Sequence, residues 1–425
     1  MGELNRKIGL FGLTASGVGI ILGAGIYALI GSAAGVTGNA VWISFLLGAF
    51  ISSFTGLSYA ELSSAIPKAA AEYSYAKEAF RNKVAPFLVG WTILFTGTVS
   101  ASTVAMGFAG YLKGFFGIPI VLTSVILIML LSLLNFVGIK ESLRLNILFT
   151  LIEASGLILI VVLAIPSLGR VNYLEASTGL SGILKASVLI FFAYLGFEDI
   201  VNLSEEAKNP ERDIPKALVF SVLITAILYV LVAIAVVSLV DWQELGVSSS
   251  PLALAASKSM GQNAFFAMSV IALFATSNTV LILLIVNSRM IFGMAKDGSL
   301  PSTLAKVSRR GTPWVAILVT MLLSSLFVPL GNIEFVAEVT NFGTFIIFAS
   351  VNLSAIVLRY RKPSLKGGFR TPLTVGKMPL VPLTGLLSSG LLIPQLNLSA
   401  IALGLAVILV GAFVATVTKR KKARK

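Results

Sequence analysis

The chain has 425 residues, 56% of them hydrophobic and 12% charged, with a mean hydropathy of +0.95 and a formal net charge of +14. Such a composition excludes a water-soluble enzyme built round one core and implies many membrane crossings. The absence of both cysteine and histidine excludes disulfides, thiolate catalysis and the usual zinc or haem ligands. A proton carrier in this chain has to be a carboxylate, lysine, tyrosine or water.

Met1 to Lys7 carry no small-residue cleavage site ahead of the first apolar run, so that run is expected to be a retained helix rather than a signal peptide. Hydropathy predicts twelve helices, near 11–33, 39–61, 84–112, 118–138, 144–166, 181–204, 215–240, 263–290, 314–331, 334–358, 378–395 and 396–417. With the N-terminus inside, the cytoplasmic segments hold 28 of the 32 Lys and Arg, and the other side keeps only Lys113, Arg170, Lys185 and Lys258. That asymmetry predicts both termini in the cytoplasm. It also accounts for the net charge without nucleic acid: the basic tail 418–425 reads as a topology anchor against anionic lipid.

The first helix contains Gly17-Val18-Gly19-Ile20-Ile21-Leu22-Gly23-Ala24-Gly25-Ile26-Tyr27. Glycines this dense imply a backbone that bends, opens or meets something closely. Backbone opened at Gly23-Ala24-Gly25 has to face protein or a water-filled cavity, because lipid supplies no hydrogen bonds. The freed amides, with the positive end of the following half-helix, would form a small anion site. A close contact between helices is the alternative. A dinucleotide-binding loop is excluded: no strand precedes the glycines, and Val41-Trp42-Ile43-Ser44 stands where the ribose-binding acid would.

Beyond the second helix, Pro67 to Tyr75 with Glu72, Lys77, Glu78 and Arg81 suits a short amphipathic helix at the membrane surface. Thr96, Thr98, Ser100, Ser102 and Thr103 in the third helix serve helix packing or a polar cavity wall. In the fifth helix Glu153 lies near the bilayer midplane. A carboxylate there is expected to line a site or a proton path, with a protonated packing residue as the alternative. The sixth helix repeats the logic of the first, carrying Gly196, Glu198 and Asp199 in Phe191-Phe192-Ala193-Tyr194-Leu195-Gly196-Phe197-Glu198-Asp199-Ile200. Two interrupted helices heading two blocks of five, the second block necessarily inverted, predict a substrate site between them. The loop from Ser204 to Pro215, with Glu205, Glu206, Lys208 and Arg212, reads as a solvated loop or an ion-paired gate. Thr276, Ser277, Asn278 and Thr279 in the eighth helix serve packing or cation ligation. The basic, Pro/Gly-rich stretch 359–377 reads as a linker to two appended helices.

Gly23-Ala24-Gly25-Ile26-Tyr27 resembles the first-helix signature of the amino acid–polyamine–organocation permeases. Leu57-Ser58-Tyr59-Ala60-Glu61-Leu62 with Pro67 and Tyr73-Ser74-Tyr75 resembles the next block, although Ala70 and Ala71 replace its usual glycines. The most specific match is Phe191 to Phe197 followed by Glu205-Glu206-Ala207-Lys208-Asn209-Pro210. Arg289 to Gly298, Phe342-Gly343-Thr344 and Val357 to Pro363 extend it along nearly the whole chain.

The resemblance implies an all-α polytopic protein with the leucine-transporter fold, in one permease domain over 1–417. Two inverted five-helix repeats, about 8–166 and 181–358, would precede helices eleven and twelve at 378–417, with the first and sixth helices unwound at the midplane. It implies amino acid transport across the plasma membrane by alternating access, without a cofactor or metal. The substrate carboxylate would meet amides at Ala24 and Gly25 beside Gly23. The amine would meet carbonyls of Ile21, Phe192 and Leu195, with Ala193 in the same wall. Proton-coupled members often hold a lysine where this chain has Glu153, so its carboxylate would carry the proton itself, hold sodium with a hydroxyl such as Ser277, or mark an exchanger. Glu198 replaces a common aspartate and would assist coupling or cap the lower half-helix. The expected partners are an amino acid, protons (sodium as the alternative) and the lipid bilayer, with no nucleic acid. Proton-coupled symport of neutral amino acids is the leading expectation, mainly apolar ones given Phe191, Phe192 and Leu195, with cationic ones admitted by Glu153 and Glu198. An exchanger, a sodium-coupled symporter and a non-transporting sensor are the rivals. An intramembrane enzyme would need a catalytic pair that the chain lacks.

Overall fold

Where the sequence runs apolar for a membrane's thickness, backbone hydrogen bonds must close within each segment, and helices result. The computed structural model describes residues 8–67, 71–82, 84–137, 139–203, 207–296, 298–308, 311–330, 333–365 and 367–423. The helices of the first half are α1 (Leu10–Ile21), α2 (Ala24–Thr37), α3 (Val41–Ala65), α4 (Ala71–Ala79), α5 (Val84–Phe116), α6 (Ile120–Val137) and α7 (Ile139–Ala164). Then come α8 (Gly179–Tyr194), a 3-10 turn Phe197–Leu203, α9 (Pro210–Leu239), α10 (Trp242–Gly246), α11 (Pro251–Met260) and α12 (Gln262–Lys296). The last are α13 (Trp314–Phe327), α14 (Ile333–Arg361), α15 (Leu380–Leu392) and α16 (Leu398–Ala423). Residues 1–7, Lys68 to Ala70, Ser204 to Glu206 with the acids of the suggested gate, Asp297 and the last two residues of the basic tail lie outside the described residues.

The chain is a multi-pass membrane protein. Among the described residues nine helical runs are long and apolar enough to cross a bilayer, one of them the run Ala24–Ala65 that contains both α2 and α3. Gly38 separates those two helices, and its φ of +81° is open to glycine at little cost. Leu10–Ile21, Trp314–Phe327 and Leu380–Gln395 are shorter apolar helices. The outer faces of α6, α13 and α16 carry exposed Leu130, Leu133, Leu322, Leu326, Leu409 and Phe413, as a lipid-facing surface requires.

The interruptions expected in the first and sixth helices are present. The first falls between Ile21 and Ala24, the second between Tyr194 and Phe197. Two features differ from the expectation. The segment after α9 holds the short helices α10 and α11, which a hydropathy window cannot see because they are too short to span. The 359–377 linker contributes a two-residue hairpin, Thr374–Val375 with Met378–Pro379. In the bundle α3 packs along α9, α5 along α12 and α14, α2 against α8, and α1 against α9.

The linker is anchored by charge. Arg359 at the end of α14, 6% exposed, grips Glu61 of α3 with both arms, Nε to Oε1 at 2.8 Å and Nη2 to Oε2 at 2.6 Å. The Thr371 amide and hydroxyl also donate to Glu61 Oε2, at 2.8 and 2.7 Å. Removing one partner leaves the other charge buried and unpaired, a loss of about 3–5 kcal/mol. Arg359→Ala is therefore expected to lower the stability of the purified protein by about that amount, and Arg359→Lys, which keeps charge without the fork, to recover only part of it. A denaturant titration giving wild-type stability for Arg359→Ala would refute this account.

Candidate functional site

Both interruptions face the same space because glycine lets the broken helices touch. A Cβ placed on Gly25 would lie 2.3 Å from Ala193 Cα, so α2 and α8 meet backbone to backbone there. Gly196 has φ +111°, and a Cβ on it would fall 3.1 Å from the carbonyl oxygen of Ile20. A Cβ on Gly23 would strike Thr279 Oγ1 at 2.1 Å. The glycines thus work as close helix contacts and as backbone openings together, and the two readings of the motif are not exclusive.

A cavity of about 110 Å³ opens beside the breaks. Ile21, Gly23, Ala24, Gly25, Phe192, Ala193 and Leu195 all border it, and so does Glu198. Phe191 does not line it: its ring packs against Phe345 and Phe348, with centroids 4.8 and 5.7 Å away. Thr96 and Ser100 of α5 also line the cavity. On the opposite face of α5, Thr98 and Ser102 bond to their own helix, and Ser102 also to the carbonyl of Ser324; Thr103 lies further along the helix, beyond the cavity, and bonds to the Val99 carbonyl.

Several backbone groups freed by the breaks already have partners. The Ala24 amide donates to Thr279 Oγ1 at 3.1 Å. Tyr229 of α9, fully buried, points its hydroxyl at the carbonyls of Ile21 (2.6 Å) and Ala193 (3.1 Å), bridging the ends of α1 and α8. The Leu195 amide donates to the Phe192 carbonyl at 3.3 Å. The amide of Gly25 lies in the first turn of α2, where no intrahelical acceptor exists. An anion entering beside Ala24 would therefore meet this amide, while Thr279 Oγ1, which also donates to the Ala275 carbonyl of its own helix at 3.1 Å, holds the Ala24 amide in place. Glu198 Oε2 accepts from the Gly196 amide at 2.9 Å, which makes it a cap on the turn that follows α8.

Tyr59, Glu72, Glu198 and Asp199 border the cavity as well. Glu72 corrects one expectation: α4 is not simply a surface helix, because Glu72, Tyr75 and Ala76 are buried where α4 packs against α5 and α14. Burial pushes the Glu72 carboxyl above its ordinary range, opposed by hydrogen bonds from its own backbone and from the Tyr59 hydroxyl at 3.1 Å.

Glu153 sits behind the cavity wall rather than in it. It is wholly buried, with Oε1 accepting from Asn278 Nδ2 of α12 at 3.2 Å. Glu153 Oε2 and Asn278 Oδ1 have no partner among the described residues. Tyr27, two residues beyond Gly25, ties α7 to the first break by donating to the Glu153 carbonyl at 2.6 Å, and Tyr111 donates to the Tyr27 carbonyl at 2.6 Å. Ser277 neither borders the cavity nor bonds to Glu153. Its neighbour Asn278, about 100° further round the helix, takes that place. Tyr229 and Asn287 are site residues that the sequence did not single out, and their only signal was a polar side chain on an apolar segment. Tyr59, Glu72, Asp199 and Thr279 stood out in the sequence, but not as residues of the substrate site. Among the described residues no cluster of acids could hold a metal ion.

A family model described as "Amino acid permease" matches residues 8–417. The branched-chain amino acid permease BcaP of Bacillus subtilis is 29% identical, over 99% of this chain and 95% of its own length. The methylthioribose transporter of the same organism is 30% identical over 92% and 87%. The vacuolar cationic amino acid transporter 4 of Arabidopsis thaliana is 31% identical over 85% of this chain, which spans 64% of that longer protein.

Proposed function

This chain belongs to the amino acid permease family, and from that premise we propose that it carries neutral amino acids across the plasma membrane by alternating access, with protons as the coupling ion. The observation that carries the proposal is one cavity bordered by both broken helices, where the Gly25 amide and the second lone pairs of the carbonyls at the breaks can hold the charged ends of any α-amino acid.

The packing supports two inverted repeats within a twelve-helix arrangement. Contacts in one block have counterparts in the other: α1 with α9 and α3 with α8; α5 with α14 and α12 with α7; α5 with α6 and α12 with α13. The bias of Lys and Arg towards one set of loops supports cytoplasmic termini. Relatives named for branched-chain and cationic amino acids leave the side chain open, and the walls of the cavity support one reading. Phe192, Leu195, Ile93 and Val104 favour neutral substrates, and among the described residues no lysine or arginine borders the cavity to pair an acidic one.

Purified protein should be stabilised against heat by neutral amino acids at millimolar concentration, since a ligand that binds only the native state raises its stability by mass action. The same amino acids should enter vesicles containing the protein. Stabilisation without uptake would make the protein a sensor, and glutamate binding in preference to all neutral amino acids would overturn the substrate assignment.

A further inference from the structure

We propose that Asn287 reads the end of the substrate side chain, selecting neutral groups that both donate and accept a hydrogen bond, namely carboxamides and hydroxyls. This rests on the cavity being the substrate site. Asn287 lies on α12, is 1% exposed, and borders the cavity beside Thr96, Gly97 and Ser100 of α5 and Thr344 of α14. Gly97 makes the room for it: a Cβ there would come within 2.4 Å of Asn287 Oδ1 and 2.5 Å of Nδ2.

The other asparagines inside the bundle are used. Asn135 donates to the Leu284 carbonyl and Ser288, Asn278 to Glu153, Asn341 to the Val188 carbonyl, and Asn352 to Thr55 and the Phe348 carbonyl. Asn287 Nδ2 is buried without a partner among the described residues. A buried amide left unpaired is costly, and such a group at a cavity wall is explained by a ligand that completes it. The terminal torsion of asparagine is soft, so the amide can turn either its N–H or its carbonyl to the ligand.

Neighbouring chemistry agrees. The Thr96 and Thr344 hydroxyls donate to their own helices, at 3.0 and 3.1 Å, which leaves their lone pairs as acceptors. The acids that border the cavity come from α4 and the turn after α8, whereas α5, α12 and α14 contribute only neutral side chains to it. The wall formed by α5, α12 and α14 therefore offers a polar, uncharged terminus its partners and brings no charge of its own.

Near-isosteric pairs test this directly. Affinities of asparagine against leucine, and of threonine against valine, are measured on the purified full-length protein by competition in a thermal-shift or fluorescence assay. Asn287→Leu is expected to lower the asparagine-to-leucine and threonine-to-valine affinity ratios about tenfold or more. Asn287→Asp, which keeps the shape but introduces a charge, is expected to gain affinity for lysine and ornithine, and it serves also if Asn287→Leu fails to fold. Unchanged ratios in Asn287→Leu, or no gain for cationic side chains in Asn287→Asp, would overturn the role of Asn287 while leaving the substrate site standing. Absence of binding by every amino acid in the wild type would overturn the site itself, and this inference with it.

Discussion

Glu153→Gln protein in liposomes is expected to lose substrate accumulation driven by an inward proton gradient while still exchanging internal for external substrate. The reason is a count of donors. Glu153 is wholly buried, its Oε1 accepts from Asn278 Nδ2, and among the described residues both Glu153 Oε2 and Asn278 Oδ1 face no donor. A proton on Oε2 would supply the missing donor, and an ionised carboxylate held there without one is expensive. Glutamine carries a permanent N–H in the same shape, so the variant should behave as if always protonated and lose dependence on the gradient. Tyr27 gives the site a route to the transport cycle, since its hydroxyl bonds the Glu153 carbonyl while its backbone begins the half-helix that starts at Ala24. A proton that changes how α7 holds α2 would bias the two access states by differential stability. Gradient-driven accumulation that survives Glu153→Gln refutes the coupling role. Accumulation that follows sodium and ignores pH would move the site to a cation, and uptake only into preloaded vesicles would make the protein an exchanger.

The second large effect is expected at Gly25. Gly25→Ala should abolish measurable amino acid binding, with Gly25→Leu at least as severe, because the added Cβ meets the backbone of α8 rather than a side chain that can turn away. Its nearest atoms would be Ala193 Cα at 2.3 Å, Ala193 Cβ at 2.8 Å and Ala193 N at 3.0 Å. The half-helices must separate, which misplaces the carbonyls of Ile21 and Ala193 that Tyr229 holds together. Overpacking of this kind costs about 1–3 kcal/mol in a core, and a shift of about 1 Å at a binding site costs on the order of a hundredfold. Gly293→Ala in α12 is the matching control: nothing lies within 4 Å of its Cβ, so it should be neutral or stabilising by up to about 1 kcal/mol. Ala193→Gly should rescue Gly25→Ala only in part, since the shortest contact is to Cα. Wild-type affinity in Gly25→Ala would show that the breaks do not need this contact.

What the sequence determined by itself follows from forces that act locally along the chain. Apolar length makes a crossing helix, so the helices, the two glycine-bearing interruptions and a midplane acid at position 153 could be read directly. The residues expected at the substrate breaks lie on the breaks themselves, and so they reach one cavity together. The rest depended on which helix faces which, information spread over residues far apart in the chain. Glu72 looked like a surface charge because its own segment is polar; the packing of α4 against α5 and α14 turned it inward. Ser277 and Asn278 are adjacent polar residues on an apolar helix, and only the rotation of α12 against α7 gave Asn278 to Glu153. Phe191 and Phe192 are adjacent and alike, yet the angle between successive side chains on a helix sends one to α14 and the other to the cavity. Tyr229 is 208 residues from the Ile21 carbonyl it holds, a distance across which no local pattern in the sequence carries a signal.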